Sequence, residues 1–438
     1  MAGSVFDSPL FSKLFPTGEA GRLFTDAAEI RAMMLVEGTL AKVQGEMGII
    51  PEDSAALIHR SSLEIQIDPG ALAEATGQNG VSVPGLVAAF RKAMEAPEHA
   101  QFVHWGATSQ DIIDTGLMLR LRQVLTLLTG DAQAVLKRLA SLASAHAETP
   151  MAARTFGQYA NVTSFGAQVA EWGNPLISLL EEFPGLRESC LMVSLSGATG
   201  TGVTYGPDAA KLRAKMADAL RLGDPERSWH TDRTPVLRIA DWLVRINGAL
   251  AKLGEDVIAM SLSGIDEVNL DGGGASSTLP QKQNPVAASS LVALGHQARG
   301  LEATLKVASV HKHQRDGAAW FTEWLVLPQI CLGAASALTV AKQVLDRLEP
   351  HIETVGDPLG LIHAETLSYA LVAQMPRPEA QAVTKALCLE ARETGTQLQD
   401  LIARDYPDLD KAAVFDPMQT MGHAPEAARA FVQRVKKL

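Results

Sequence analysis

Cysteine is scarce in this sequence. The 438 residues contain three, Cys190, Cys331 and Cys388, and they lie far apart. An odd number of widely spaced cysteines fits buried, reduced thiols better than a disulfide framework or a zinc cluster. The sequence therefore gives little support to redox or metal chemistry, and we expect neither a metal nor a cofactor.

Positive charge is also in short supply. Lys and Arg total 38 against 49 Asp and Glu, which leaves a formal net charge of -11. Nucleic acids and anionic membranes both select a basic protein face, so we expect neither as a partner. An anionic small molecule would need a local group of cations within this acidic chain.

Long uninterrupted apolar runs are missing, although 47% of the residues are hydrophobic. No run approaches the roughly 18 apolar residues that a membrane span requires, and residues 1–15 lack the cationic start and apolar run of a secretory signal. The apolar content instead suffices for a large core in two or three domains. We expect a cytoplasmic globular protein.

Helical periodicity is what the sequence has in abundance. Over residues 236–262, apolar side chains recur every three or four positions without a proline, which predicts one very long amphipathic helix. Similar patterns predict long helices at residues 114–148, 161–182 (with a kink at Pro175), 286–310 and 317–348. The predicted fold is all-α, with an N-terminal helical domain (1–108), a central bundle of five long helices (109–350) and a small C-terminal helical domain (351–438). The apolar faces of such helices exceed what one bundle can bury, which favours association with other subunits.

The most informative motif spans residues 272–285, Gly-Gly-Gly-Ala-Ser-Ser-Thr-Leu-Pro-Gln-Lys-Gln-Asn-Pro. Its glycines permit a mobile backbone, its serines offer hydroxyls, and Lys282 is its only charged residue. Asn284 followed by Pro285 predicts a helix start, because Asn is a favoured N-cap and proline suits the first helical position. The motif therefore predicts a catalytic loop with a carboxylate or phosphate site at a helix N-terminus.

Three other polar clusters have both a structural and a functional interpretation. Residues 108–111, Thr-Ser-Gln-Asp, fit a helix capping box and equally well a ligand site. Residues 154–158, Arg-Thr-Phe-Gly-Gln, are on their own more typical of a polar turn between two helices. Residues 194–202 contain glycines in the order G-x-x-G-x-G, which differs from the G-x-G-x-x-G pattern of dinucleotide-binding loops. A tight structural loop is therefore favoured.

A fourth cluster, residues 311–315, carries two histidines and an arginine. His311 and His313 are two positions apart and would diverge on a helix, whereas helical metal pairs favour spacings of three or four. Arg315 is the more interesting member, because a guanidinium can bind a carboxylate through two parallel hydrogen bonds. A surface salt bridge is the alternative.

Taken together and in this order, the clusters resemble the signature regions of the fumarase/aspartase superfamily. Residues 272–285 are similar to its Gly-Ser-Ser-x-Met-Pro-x-Lys-x-Asn-Pro signature, with Ala275 in place of a glycine and Leu279 in place of methionine. The resemblance covers nearly the whole chain. It implies a homotetramer in which the central domains form a twenty-helix core and each active site is built from three subunits.

A missing histidine points to one branch of the superfamily. Lyases of this superfamily carry a general-acid histidine after an Arg-Thr pair, where this chain has Phe156. A second histidine of the adenylosuccinate lyases is also absent from the corresponding residues 78–84. The motifs at residues 108–111 and 197–201 resemble both the adenylosuccinate lyase branch and its relative, the branch that closes 3-carboxy-cis,cis-muconate to a lactone. The motifs at residues 229–231 and 320–324 resemble the lactone-forming branch.

The resemblance implies the following roles in a cycloisomerase that acts on a small polycarboxylate. Ser276 would deliver a proton to carbon, and Lys282 and Asn284 would stabilise the enolate-like intermediate. Positive charge for the substrate carboxylates would come from Arg154, Arg315 and the less secure Arg233. The remaining substrate-binding residues would be Thr108, Ser109, Thr155, Gln158 and His230.

Two other interpretations stay open at this point. An adenylosuccinate-type or other amine-eliminating lyase would need a substitute acid, for which His104 or His230 is available. A non-catalytic structural homologue is disfavoured, because Ser276, Lys282 and Asn284 are all intact.

Overall fold

The computed structural model describes residues 3–270, 274–275, 279, 282–352 and 357–438. The first part of the chain forms short helices, apart from the longer α2. This helix begins after Thr25, whose hydroxyl accepts a hydrogen bond from the backbone N–H of Ala28 (3.2 Å). The helices are α1 (Gly18–Arg22), α2 (Asp26–Glu46), α3 (Glu52–Glu64), α4 (Ala73–Asn79), α5 (Val83–Ala93) and α6 (Pro97–Ala100).

The five long helices that the periodicity predicts are confirmed. They are α7 (Ser109–Ala145), α8 (Phe165–Cys190), α10 (Thr234–Met260), α11 (Val286–Ala308) and α12 (Gly317–Arg347), and the shorter α9 (Ala209–Leu220) precedes α10. The C-terminal part contains α13 (Ala364–Leu371), α14 (Arg377–Thr394), α15 (Leu398–Asp405), α16 (Lys411–Phe415), α17 (Pro417–Thr420) and α18 (Ala424–Val435). The all-α prediction is correct, with strands only as short accessories in the described part of the chain.

The expectation of a polar turn between two helices at residues 154–158 is wrong. The structure has an antiparallel hairpin of β1 (Pro150–Thr155) and β2 (Gln158–Ser164), so residues 161–164 are extended rather than helical. The two residues at its tip, Phe156 and Gly157, have φ of 51° and 73°, as a two-residue hairpin turn of primed type requires. Buried Ala152 and Val162 fix the inner face of the hairpin, where they pack with residues of the C-terminal part.

Two further strand pairs are short. β3 (Val268–Leu270) pairs antiparallel with β6 (Leu348–Pro350), and β4 (Gly274–Ala275) pairs with β5 (Gln283–Asn284). The second pair brings the two ends of the glycine-rich motif together, with Gly274 opposite Asn284.

The chain divides into two compact units, each assembled from three separate segments. The first unit comprises Met1–Ala132, Leu179–Ala251 and Ser290–Val340, and the second comprises Gln133–Ser178, Lys252–Ser289 and Ala341–Leu438. The core of the first unit packs α2, α3 and α5 with residues such as Leu195 and Trp320. A core of the second unit lies among α13 to α16. The division into three domains at residues 108 and 350 stays a prediction.

Among the described residues, α12 is long and apolar enough to cross a membrane by length and composition. Its best window has a mean hydropathy of 1.7, yet 72% of that window is buried inside the protein. Such burial is typical of a core helix, so α12 is weak evidence for a membrane span.

Candidate active site

The start of α7 is a helix cap joined to a buried carboxylate. The backbone N–H of Thr108 donates to Asp111 (3.1 Å), as in the predicted capping box. Asp111 also accepts hydrogen bonds from the backbone N–H groups of Ser196 and Gly197, both at 2.9 Å, and lies 2.9 Å from Nε2 of His230. This fully buried carboxylate therefore fixes the glycine-containing loop and the histidine against the first turn of α7.

Arg315 lies beside this first turn. It belongs to the coil between α11 and α12, where its Nε donates to the side-chain oxygen of Gln110 (2.8 Å) and its Nη2 donates to the Thr108 hydroxyl (3.2 Å) and to the Ala198 carbonyl (3.3 Å). Gln110 is completely buried and donates in turn to the carbonyl of His230 (2.9 Å). Nη1 of Arg315 makes no hydrogen bond within the described residues, so donors remain for an anion.

Arg233 occupies a buried ionic cluster. Its guanidinium donates to Asp114 (2.7 and 3.1 Å) and to Glu323 (2.9 and 2.6 Å), and it stacks on Trp229 at 4.8 Å from the ring centroid. Burial alone would lower the pKa of Arg233, but the charges of Asp114 and Glu323 outweigh it and raise this pKa. Gln110 donates to the same Asp114 (3.2 Å), so the cluster is connected to the Arg315 side.

A second buried pair lies in the same unit. Nδ1 of His104 is 2.7 Å from a carboxylate oxygen of Glu37, and Glu37 is only 2% exposed. Burial opposes the charged imidazolium, yet the Glu37 charge and hydrogen bond, helped by Asp111, raise the pKa of His104. The buried hydroxyl of Tyr205 has no hydrogen-bond partner within the described residues.

The histidines of residues 311–315 lie in the coil that carries Arg315, between the two predicted helices. Both ring nitrogens of His311 are buried without a hydrogen-bond partner in the described structure. Burial, followed by the charge of Arg233, lowers the pKa of His311. In the described parts of the chain, no three His, Cys, Asp or Glu side chains are grouped to hold a metal ion.

The second unit carries the hairpin residues of the predicted site. The guanidinium of Arg154 makes two parallel hydrogen bonds to Glu267, both of 2.8 Å, and lies 4.9 Å from the ring centroid of Tyr159. The bonds to Glu267 raise the pKa of Arg154. Thr155 and Gln158 form the last cross-strand pair of the hairpin, and both are exposed.

The glycine-rich motif also belongs to the second unit. Helix α11 begins directly after Pro285, as the Asn-Pro step predicts, and Asn284 is half-buried. Lys282 is exposed, and its backbone N–H donates to the carbonyl of Leu279 (3.1 Å). Ser276 lies outside the described residues.

Hydrogen bonds of the first unit thus connect four of the predicted site residues, Thr108, Arg315, His230 and Arg233. Ser109 is half-buried next to them, and its side chain makes no hydrogen bond within the described residues. The members of the second unit are Arg154, Thr155, Gln158, Lys282 and Asn284. Sequence reasoning missed the buried carboxylates Asp114 and Glu323, because Arg233 lies in a polar stretch and directly follows Asp232, so nothing local indicated that it needed distant buried partners.

Comparison with known proteins agrees with the resemblance. Residues 23–300 match the model of a family described as lyase. A 3-carboxy-cis,cis-muconate cycloisomerase of Pseudomonas aeruginosa is 34% identical, over 97% of this chain and 95% of that protein. The chain belongs to the fumarase/aspartase superfamily.

Other relatives place this superfamily member among enzymes of two reaction types. The crystal structure of the 3-carboxy-cis,cis-muconate lactonizing enzyme from Pseudomonas putida superposes with a TM-score of 0.91 at 29% identity, covering 98% of this chain and 99% of that one. An N-acetyl-S-(2-succino)cysteine lyase of Enterococcus italicus is 28% identical over 96% of this chain and 95% of that protein. The family prediction from residues 272–285 and the other motifs is confirmed.

Proposed function

We propose that this enzyme is a 3-carboxy-cis,cis-muconate cycloisomerase, which closes its substrate to a carboxymuconolactone in protocatechuate catabolism through the β-ketoadipate route. The observation that carries the proposal is the identity of the residue at the hairpin tip. Phe156 is fully exposed there, directly after Arg154 and Thr155, at the position where superfamily lyases have a general-acid histidine. Near full-length similarity to cycloisomerases supports the same assignment.

The chemistry explains why a cycloisomerase tolerates Phe156. In the ring-opening direction its leaving group is a carboxylate, whose conjugate acid has a pKa of about 4, so it departs without a proton at neutral pH. A lyase that expels hydroxide must stabilise the conjugate base of water, with a pKa of about 15.7. A phenylalanine in place of the acid is therefore compatible with lactone chemistry.

In the closing direction, one substrate carboxylate oxygen adds to a carbon–carbon double bond. A C–O bond forms, the π electrons move onto an adjacent carboxylate as an enolate-like dianion, and a proton then adds to carbon. Lys282, Asn284 and the N-terminus of α11 would stabilise the dianion, and Ser276 would deliver the proton. A serine can act in this way only in a positive site from which water is excluded.

The substrate carboxylates need several donors. Arg315, aligned by Gln110, would present its Nη1, which has no partner among the described residues, together with the Thr108 and Ser109 hydroxyls at the N-terminus of α7. Arg154, Thr155 and Gln158 would add donors from the hairpin. His230 and Arg233 are both buried, so we assign them to the support of the Asp111 and Gln110 side chains, which keep this region in place.

The assembly and location are part of the same proposal. We expect a cytoplasmic homotetramer whose sites combine residues of three subunits and bind a small polycarboxylate.

The test is to add 3-carboxy-cis,cis-muconate and to follow the loss of its conjugated diene absorbance. Ser276→Ala should lower turnover by about a hundredfold or more while leaving folding intact, because acid/base assistance is removed. Ser178→Ala, which removes an exposed hydroxyl from α8, is the control and should keep the wild-type rate. An assembled wild-type protein that leaves the diene unchanged would overturn the assignment.

The runner-up is a superfamily lyase, because the relatives include one that carries a lyase name. His104, whose pKa the Glu37 charge and hydrogen bond raise, is an available acid for such a reaction. Release of fumarate from adenylosuccinate, argininosuccinate or S-(2-succino)cysteine derivatives, without conversion of the muconate, would favour it.

A further inference from the structure

Four arginines line one pocket of the first unit. Arg22 on α1, Arg122 on α7, Arg187 near the end of α8 and Arg221 directly after α9 face a cavity of about 710 Å³. The described lining contains a single acidic residue, Glu19, which is paired with Arg22 at 2.9 Å. In a chain of net charge -11, this local excess of positive charge requires an explanation.

Only Arg22 of the four arginines has an acidic partner among the described residues. Arg187 and Arg221 are exposed, and neither guanidinium has a hydrogen-bond or salt-bridge partner within the described residues. Arg122 is held by the backbone, because its Nη1 donates to the carbonyl oxygens of Leu220 (2.6 Å) and Arg221 (2.9 Å). Burial, followed by the charges of Arg187 and Arg221, lowers the pKa of Arg122. The backbone thus holds Arg122 in place, and the positive charges of Arg122, Arg187 and Arg221 have no acidic partner among the described residues.

We propose that this pocket binds a small multivalent oxyanion, a compound with several phosphate or carboxylate groups. Planar guanidinium groups donate paired hydrogen bonds to either kind of oxyanion, and a cavity of this size is typical of small-ligand sites. Arg122 lies fourteen residues beyond Thr108 on the same chain, about 21 Å along α7 at 1.5 Å per residue. The pocket is therefore separate from the hydrogen-bonded group at the start of α7.

Calorimetric titration of the assembled wild-type enzyme with pyrophosphate and, separately, with citrate tests the proposal. Both titrations are run at an ionic strength fixed with sodium chloride. The double variant Arg187→Gln/Arg221→Gln should raise the Kd of the bound anion at least tenfold, or reduce the stoichiometry by one site per chain if the substrate site also binds the anion. If pyrophosphate binds more tightly than citrate, the pocket is assigned to phosphate compounds. If citrate binds more tightly, the pocket is assigned to polycarboxylates.

The matched control is Arg377→Gln/Arg392→Gln, which removes the same charge from exposed positions on α14 and should leave binding unchanged. Without added anion, the Arg187→Gln/Arg221→Gln variant should keep or raise the apparent Tm, since repulsion among the arginines is relieved. The proposal is overturned if neither anion binds, if the variant binds both as the wild type does, or if the variant changes the mass of the assembly, which would show that the arginines contact a second copy.

Discussion

At the start of α7, the role of a residue depends on its burial and on how many hydrogen bonds its side chain makes. Asp111 accepts several hydrogen bonds and is fully buried, so it organises the loop around it. Arg315 keeps one terminal nitrogen without a partner in the described structure and is only part-buried, as a ligand-binding residue must be. The distinction separates residues that support the site from residues that we expect to touch substrate.

Replacement of Arg315 by lysine should lower kcat/KM by about tenfold to a hundredfold. A lysine has one nitrogen and cannot reach Gln110, Thr108 and a substrate carboxylate together. Steady-state kinetics on the muconate substrate measure the effect, with Arg404→Lys, at an exposed position of α15, as the control. Equal kinetics in the two variants would remove Arg315 from substrate binding.

The His104–Glu37 pair should make stability depend on pH. The pKa of His104 is raised above its ordinary value of 6.5, so the folded state gains stability below that value and loses it as pH rises through the raised pKa. The urea concentration at the midpoint of unfolding should therefore decrease more between pH 6 and pH 9 for the wild type than for His104→Gln. The same fall in both proteins would show that another group titrates.

Part of this site could be predicted from sequence because its signals are local. The Thr108–Asp111 cap and the helix start after Pro285 depend on neighbouring residues, and both are confirmed. The partners of Arg233 could not be found in this way, since Asp114 and Glu323 lie 119 and 90 positions away. Tertiary packing determines which charges pair across such separations, and local periodicity does not predict tertiary packing.

At the scale of elements, helix periodicity was a better guide than polar sequence. The long helices α7, α8, α10, α11 and α12 follow from their apolar spacing, whereas the hairpin of β1 and β2 did not, because its polar residues resemble a turn. Its strand signal lies in Tyr159, Val162 and Thr163, which favour extended backbone. The hairpin also places Phe156 at its exposed tip. Because the strand pair was not predicted, the exposure of Phe156, on which the proposed function depends, could not be predicted either.

Helix α8 begins in close contact with the end of α7, and this contact requires a glycine. A Cβ on Gly166 would lie 2.6 Å from the carbonyl oxygen of Ala143 and 2.7 Å from Cα of Ala147. Gly166→Ala should therefore destabilise the protein by about 1–3 kcal/mol, measured as a lower apparent Tm.

Gly185 on the same helix is the matched control. Apart from its chain neighbours and the backbone of its own helix, no atom lies within 4 Å of its added Cβ, so Gly185→Ala should raise stability by about 1 kcal/mol through helix propensity. If both variants lowered the Tm equally, the close contact at Gly166 would not be the cause.

At the scale of the whole molecule, the long apolar helix faces favour association with other subunits, and membership of the superfamily implies a tetramer. Analytical ultracentrifugation of the purified enzyme should give a mass four times the chain mass of 46.6 kDa. Long apolar helix faces, such as the exposed Leu325 on α12, would be covered by such an assembly. A stable monomer at micromolar concentration would contradict this.

Mixing two inactive variants tests whether the sites are shared between subunits. Ser276→Ala and Arg315→Ala homotetramers, each almost inactive, should regain activity after they are dissociated and reassembled together. In hybrid tetramers, some sites would receive an intact Arg315 from a Ser276→Ala chain and an intact Ser276 from an Arg315→Ala chain. No gain in mixed samples would indicate that each chain supplies its own complete set.

The interleaving of the two compact units has a consequence for how the protein is made. The first unit needs residues up to Val340, and the second needs residues from Gln133 to the C-terminal part, so neither is complete until at least 340 of the 438 residues have left the ribosome. Long apolar helices such as α7 are thus synthesised well before their partners exist. The nascent chain presents unpaired helix faces for most of translation, which makes it a natural client for chaperones that bind apolar segments.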